Sequence, residues 1–508
     1  MIQKTINIVW FKRDLRVHDH QPLVEAMKQA KPILLLVLDE PGYWQQPDIS
    51  SLHYACWRSA VNSLQHQLKK RKLNLNFIRG DAVDIFSKLI SQYEIDTVYA
   101  HQETGNNWTY QRDKCIAEIL KKAAIPFKEY NQFAVIRRLQ SRDDWQQHWQ
   151  KIMKSPTLPA MTFPSEKSIV INIEVEEARI YNNGYHQISP LIWRTYAIMR
   201  LKQFLYHDAW QYQISISSPV TAELFCSRLS MYLSYGVISL REVFQATWRR
   251  RQNIYADNSP LSPEEKKLWY RNIKAFESRL YWHCHFIQRL EDQPSMEFKA
   301  LLPQADALRP LPINPIYFDA FCQGRTGFPF VDACIRYLRK YGWINFRMRA
   351  MLTSFATCIL WLDFRPVGLF LARCFADYEP GIHYSQIQMQ SGVTGINAIR
   401  IYNPIKQGKE HDRTGDFIRT FVPELAAISD SEIHEPWLFQ ETIASKYNIH
   451  IDEDYPSPVI DYEEAYKFAK NVLFSFKKDR KTKQASQQVY IKHGSRMKRG
   501  KVRSKNEV

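Results

Sequence analysis

The residues Pro32–Leu38, PILLLVL, are apolar at every position. A strand with one wet face alternates in polarity, whereas an uninterrupted apolar run of this length suits a strand covered on both faces, as in a parallel sheet. Its neighbours repeat the theme. Ile6–Phe11, Leu75–Arg79 and Thr97–Ala100 are short strand-like runs. Between them lie segments of helical periodicity: Leu23–Gln29, Cys56–Lys70, Ala82–Gln92 and Thr109–Ala123. Strands alternating with helices predict a parallel sheet with helices on both faces. The glycine fingerprint of dinucleotide-binding sheets is absent, but crevices at the carboxyl ends of such strands still bind ligands.

The periodicity changes along the chain. Residues 131–188 read as an irregular connection carrying Pro156, Pro159 and Pro164, with no assignment for Ser165–Glu177. From 189 to 475 the pattern is helical, in Glu223–Tyr235, Leu240–Arg249, Pro263–Glu291, Phe330–Tyr341 and Arg347–Leu362. Glu379–Arg413, with four glycines and two prolines in polar and aromatic sequence, reads as a ligand-holding loop. The fold class is therefore α/β: an N-terminal doubly wound, Rossmann-like domain over 1–130, a connection over 131–188, an all-helical domain over 189–475 and a basic tail over 476–508.

Charge bears on partners rather than on fold. The chain of 508 residues carries 69 Lys and Arg against 52 Asp and Glu, a formal charge of +17. Twelve basic residues and one acidic residue fall between Lys477 and Lys505, a basic arm suited to phosphate. The eight cysteines include no CxxC pair, so no metal site is signalled, and the pattern suits a reduced, cytoplasmic setting. No apolar run reaches membrane-spanning length. A monomer is expected. The 14 tryptophans and 27 tyrosines suit a protein that holds a planar cofactor or bases, though large aromatic cores do the same.

Three ordered segments carry a resemblance. WFKRDLRVHDHQPL (Trp10–Leu23) follows the first strand, QGRTGFPFVDACIRYLRKYGWINFRMRAMLTSF spans Gln323–Phe355, and IRIYNPIKQGKEHDRTGDFIRTFVPEL spans Ile399–Leu425. Together they resemble the photolyases and cryptochromes over nearly the whole chain apart from the tail. The resemblance implies FAD held in the helical domain and an antenna chromophore (deazaflavin, lumazine or folate) in the α/β domain. It also implies DNA as partner. Trp108 stands near where folate-binding members carry glutamate, which disfavours the usual folate mode, and an empty antenna site is equally compatible.

Carried over residue by residue, Ser227, Leu229 and Ser230 match the hydroxyl-rich helix start that cradles the FAD phosphates, with Cys226 where threonine is usual. Arg349 and Asp377 match the pair beside the isoalloxazine ring. Trp343 and Asn345 belong to the same helix start, and Arg347 faces the pocket or the lesion. His383 falls opposite flavin N5, where photolyases usually carry asparagine. A histidine there can donate, accept or carry charge near neutral pH and so modulate the redox state. Trp282 matches the tryptophan that stacks on a damaged pyrimidine.

Several positions depart from the pattern. The tryptophan relay that reduces the flavin reads Ile387, Phe364 and Leu311, with Trp343, Trp361, Tyr317 and Tyr384 as substitutes near in sequence. At the cofactor and lesion wall Arg279 replaces a glutamate. Phe346 replaces an asparagine and Met389 a tryptophan. Phe346 and Ala350 stand where (6-4) photolyases carry two histidines. Three functions remain: a light-driven DNA repair enzyme, a cryptochrome-like blue-light photoreceptor, and a light-independent flavoprotein or nucleic-acid-binding protein.

Overall fold

The computed structural model describes residues 5–160, 168–171, 191–257 and 259–496. Five parallel strands form one sheet in the order β3-β2-β1-β4-β5. They are β1 (Thr5–Phe11), β2 (Ile33–Asp39), β3 (Leu75–Arg79), β4 (Glu94–Gln102) and β5 (Phe127–Asn131). β1 is central, with Val9 opposite Leu35 on one side and Tyr99 on the other. Every residue of β2 is buried, as its unbroken apolar run requires.

The period of two assigns the faces of the sheet. Ile6, Ile8, Trp10, Leu34 and Leu36 pack with Phe86, Leu89, Ile116 and Leu120 of the helices Ala82–Gln92 and Asn107–Lys122. Val9, Phe11, Leu35 and Val37 face the helix Ser51–Lys69, and this second core runs without a break into the helical domain. β5 is the one strand the sequence pattern missed. It is a short edge strand, FKEYN, with no buried residue.

In the helical domain the 30-residue helix Pro263–Asp292 is started by a capping box between Ser262 and Glu265. It crosses the helix Pro380–Gln390 so closely that a Cβ on Gly381 would stand 2.5 Å from Ile287 Cα. The expected loop Glu379–Arg413 is thus corrected: it contains the helices Pro380–Gln390 and Pro404–His411, each with proline in its first turn. Gly381 serves a helix crossing rather than a loop. The segment Glu223–Tyr235 is two short helices, Pro219–Phe225 and Ser230–Ser234, broken where Arg228 takes φ +54°.

The basic arm also differs from expectation. The helix Tyr462–Lys478 crosses residue 475, and Arg480–His493 is a further helix docked on the body. Arg496 pairs with Asp143, and Tyr281 donates to the Ser495 carbonyl. The connection contains the helix Trp145–Lys154. Pro164 and most of Ser165–Glu177 lie outside the described residues. No helix among those described is long and apolar enough to cross a membrane.

Candidate flavin site and the domain seam

The WFKRDLR segment emerges from the carboxyl end of β1 and binds the two domains together. Arg13 donates to the Ser234 and Tyr378 carbonyls, both at 3.1 Å, and pairs with Glu379 at 2.9 Å. Arg16 donates to the Gly236 carbonyl at 3.1 Å. Gly236, at φ +65°, could not carry a Cβ, which would meet the Arg13 carbonyl oxygen at 2.3 Å. Asp14 Oδ2 accepts from His20 at 2.8 Å and His101 at 2.7 Å. His20 uses its other nitrogen to accept from Leu23 N–H, so this buried group is a hydrogen-bonded core.

These contacts hold the helical residues that follow. Ser234 donates to the Asp377 carbonyl at 3.0 Å. Asp377 receives the Arg349 fork, Nη1 to Oδ1 at 3.0 Å and Nη2 to Oδ2 at 2.9 Å. Arg349 Nε is committed to the Ile344 carbonyl at 2.8 Å, and its guanidinium lies 4.1 Å from the Phe375 ring centre. Asp377 is nearly buried, at 3% exposure, while 25% of the Arg349 side chain stays open. The pair is a bidentate, oriented one.

Phe375 lies between this pair and His383, with ring centres 6.0 Å apart. His383 Nε2 donates to the Gly368 carbonyl at 2.9 Å, which leaves Nδ1 as the acceptor of a neutral ring. Burial first, and Arg349 among the nearby charges, push its pKa down to about 3. In this arrangement His383 donates through Nε2 and offers Nδ1 as an acceptor, two of the roles expected of it, and burial disfavours its charged form. Tyr378 and Tyr384 pack edge-on against it at 5.2 and 5.3 Å.

A second group forms around Cys226–Ser230. Arg200 donates to the carbonyls of Ser227 at 3.0 Å and Cys226 at 2.6 Å. Arg228 lies 3.9 Å above the Trp343 ring. Arg279 is exposed and hydrogen-bonds the buried Tyr212 hydroxyl, itself close to Cys226. Leu229 is buried and Ser230 opens the short helix. Sequence reading named Ser227, Leu229, Ser230 and Arg279 but missed Arg200 and Arg228. Neither carries a local signal, since Arg228 has no cationic neighbour in the sequence and only packing brings Arg200 to the Cys226 and Ser227 carbonyls. Arg200 is paired with Asp208 at 2.8 Å and Arg228 with Glu223 at 3.2 Å, so the hydroxyls of the turn and the exposed Arg279 are the groups that fit a pyrophosphate, and the half-open Arg349–Asp377 fork fits the polar edge of a flavin ring.

The other named residues lie apart. Arg347, two residues before Arg349, turns to Ser217 (3.5 Å) and Tyr402 (6.0 Å to the ring). Trp282 is half-buried, stacked on Phe286 at 5.6 Å and edge-on to His285 at 5.0 Å. Asn345 donates to the Ile216 carbonyl.

Between the domains a cavity of about 40 Å³, room for a few waters, is lined by Trp10, Lys12, Arg13, Tyr43, Trp44 and Tyr378 among others. Arg112 bridges Glu40 (2.6 Å) and Glu103 (2.5 Å) there, beneath Trp10. Burial raises Glu40 and Glu379 to about 7 each, and one carboxylate oxygen of each has no partner among the described residues. Sequence reading singled out neither acid.

Comparison with known proteins decides the lineage. Residues 7–144 match the DNA photolyase family and residues 276–474 match the FAD binding domain of DNA photolyase. The chain belongs to the photolyase/cryptochrome superfamily. Within that superfamily it is 28% identical to a deoxyribodipyrimidine photo-lyase of Alkalihalophilus pseudofirmus, over 94% of this chain and 98% of that one. It is 24% identical to cryptochrome DASH of Synechocystis, over 90% and 96%. Among solved structures, a class III photolyase from Agrobacterium tumefaciens shares the fold with a TM-score of 0.77 at 23% identity, over 94% of this chain and 99% of that one.

Proposed function

We propose that this protein is a light-dependent, photolyase-like flavoprotein that passes an electron from photoexcited reduced FAD to a pyrimidine photoproduct in DNA. The bidentate Arg349–Asp377 pair, nearly buried on the carboxylate side and a quarter open on the arginine side, carries the reading. Reduced FAD, when bound, supplies the one-electron donor. Arg349 offers a fixed positive charge to the electron-rich ring and Asp377 holds that arginine in place. Ser227 and Ser230 would hydrogen-bond the cofactor phosphates, Arg279 would offset their charge, and Leu229 and Trp343 would wall them. His383 donates through Nε2 to Gly368, which leaves Nδ1 to accept a hydrogen bond from the flavin edge.

On the lesion side, Trp282 offers a flat face to an extruded base and Arg347 a charge to phosphate. The surplus of Lys and Arg supports DNA as the partner. An antenna chromophore (deazaflavin, lumazine or folate) would have to widen the cavity of about 40 Å³ where the carboxyl ends of β1, β2 and β4 meet the helical domain. There Glu40 lines the cavity with an unpartnered carboxylate oxygen, an acceptor for a ring N–H.

A second reading, a cryptochrome-like blue-light photoreceptor, is favoured by Phe346, an aromatic ring 44% exposed where lesion-binding members carry asparagine. DNA binding separates the two. The reduced holoprotein is expected to prefer an oligonucleotide carrying a cyclobutane dimer or a (6-4) product over the undamaged strand by tenfold or more. Equal affinity for both favours the photoreceptor.

A further inference from the structure

Near the end of the helix Pro263–Asp292, away from the Arg349–Asp377 pair, donors outnumber acceptors. His285 is buried, and both of its ring nitrogens face guanidinium groups. Nδ1 meets Arg142 Nη1 at 3.2 Å and Nε2 meets Arg289 Nη2 at 3.3 Å. A neutral imidazole has one lone pair to give, so one of these contacts sets donor against donor. Arg142 has a counter-charge in Asp292, at 2.8 Å. Arg289 has none among the described residues.

Arg289 is 3% exposed, and its Nε and Nη1 are buried without a hydrogen-bond partner. Burial and Arg142 push its pKa down to about 9, which still leaves it a cation at neutral pH. The roof is the docked C-terminal helix. His493, 1% exposed, reaches the Gln293 side-chain oxygen at 3.2 Å and leaves Nδ1 unpartnered. Lys492 takes the same oxygen at 3.0 Å. The charges acting on His493 are those of Arg289, Arg142 and Lys492, all positive. A buried cation without a counter-charge is strongly unfavourable, and a buried donor without an acceptor adds to the cost.

We propose that Arg289, with His285 and His493, forms a binding site for a small inorganic oxyanion of phosphate or sulfate chemistry, seated beneath the C-terminal helix. Such an ion is rich in acceptors, and hydrogenphosphate adds one O–H for the accepting Nδ1 of His493. Its several oxygens satisfy donors on different edges of one guanidinium, which a single-point acceptor does not. It cancels the surplus charge and ties the helix Arg480–His493 to the body, so oxyanion binding and docking of that basic helix are one equilibrium.

The test uses the full-length, FAD-loaded protein exchanged into a buffer free of phosphate and sulfate. Equilibrium dialysis with radiolabelled inorganic phosphate is expected to show one ion bound per chain. Phosphate is also expected to slow proteolytic cleavage within 480–496 at least tenfold, and sulfate to compete. Arg289→Gln should abolish both effects, and should be at least as stable as the parent in the phosphate-free buffer. His493→Gln, which keeps the fold should Arg289→Gln not, should weaken binding about tenfold. The proposal is overturned if sodium chloride at matched ionic strength protects equally, or if the Arg289→Gln or His493→Gln protein binds phosphate as the parent does.

Discussion

Arg349 sets both terminal nitrogens of its guanidinium on the two carboxylate oxygens of Asp377, at 3.0 and 2.9 Å. The fork joins the helix Phe346–Ser354 to the turn before Pro380–Gln390, 28 residues on, and faces the region proposed for the flavin ring. Removing Arg349 strands a carboxylate that is 3% exposed. Arg349→Ala is expected to lower stability by about 3 kcal/mol and to purify with little FAD. Arg349→Lys, keeping charge but losing the fork, should retain an intermediate amount. Flavin absorbance per chain and urea unfolding measure both, and full FAD occupancy in the alanine variant would refute the pocket assignment.

His383 gives a pH signature. Its pKa in the folded protein is about 3, below the ordinary histidine value, because burial disfavours the imidazolium. The unfolded chain therefore takes up a proton first as pH falls. Stability is fully present above about pH 6.5 and is lost on acidification from there toward 3, by up to about 1.4 kcal/mol per pH unit. His383→Asn removes this contribution, so the difference in stability between parent and variant should shift in favour of the variant at pH 5 relative to pH 8. The light-induced flavin spectrum should change as well. Parallel pH–stability curves would contradict the burial of a neutral ring.

The missing tryptophans have a structural counterpart. Ile387 and Phe364 are buried, and Leu311 is 61% exposed. Two of the substitutes carry a cation over their rings: Arg228 over Trp343 at 3.9 Å and Arg309 over Trp361 at 4.7 Å. A cation there opposes loss of an electron from the ring. Tyr384, buried and edge-on to His383, has no such burden and hydrogen-bonds Tyr378. Tyr384→Phe is expected to slow light-driven reduction of oxidised flavin at least tenfold while dithionite reduction proceeds as before. An unchanged photoreduction rate rules Tyr384 out of the route.

How far the sequence reaches depends on the range of the interaction. β2 and the helix Ala82–Gln92 were legible because their signal is local, an unbroken apolar run in one and a 3.6-residue period in the other. β5 was not, since a polar edge strand has no buried face to pattern it. Glu379–Arg413 misled because glycine marks close helix crossings as well as loops, and composition does not separate the two. Arg349 and Asp377 were named through resemblance, and the structure brings them together. Arg13 and Glu379 are 366 residues apart in a contact no local signal announces. His383 was placed by resemblance, but its neutral state follows from burial, which only the folded chain supplies.

The Gly381 crossing offers a test of the scaffold alone. A methyl group there meets the backbone of Ile287, which cannot rotate away as a side chain would. Gly381→Ala is expected to destabilise the protein by about 3 kcal/mol, the upper end for overpacking, and to loosen FAD by displacing the helix that carries His383. Denaturant midpoints compared with the parent decide it, and an unchanged midpoint would mean that the helices cross farther apart.

The central claim is repair chemistry at the flavin, and the direct measurement is turnover by protein reduced chemically beforehand, so that a weak photoreduction route does not mask activity. Single- and double-stranded oligonucleotides carrying a cyclobutane dimer or a (6-4) product are incubated with the reduced holoprotein under blue light and in darkness, and the restored bases are counted. The expected result is loss of one lesion in light and none in darkness, abolished in the Arg349→Ala protein. Bound, fully reduced FAD with no lesion lost in light would contradict the claim and leave the photoreceptor reading in its place.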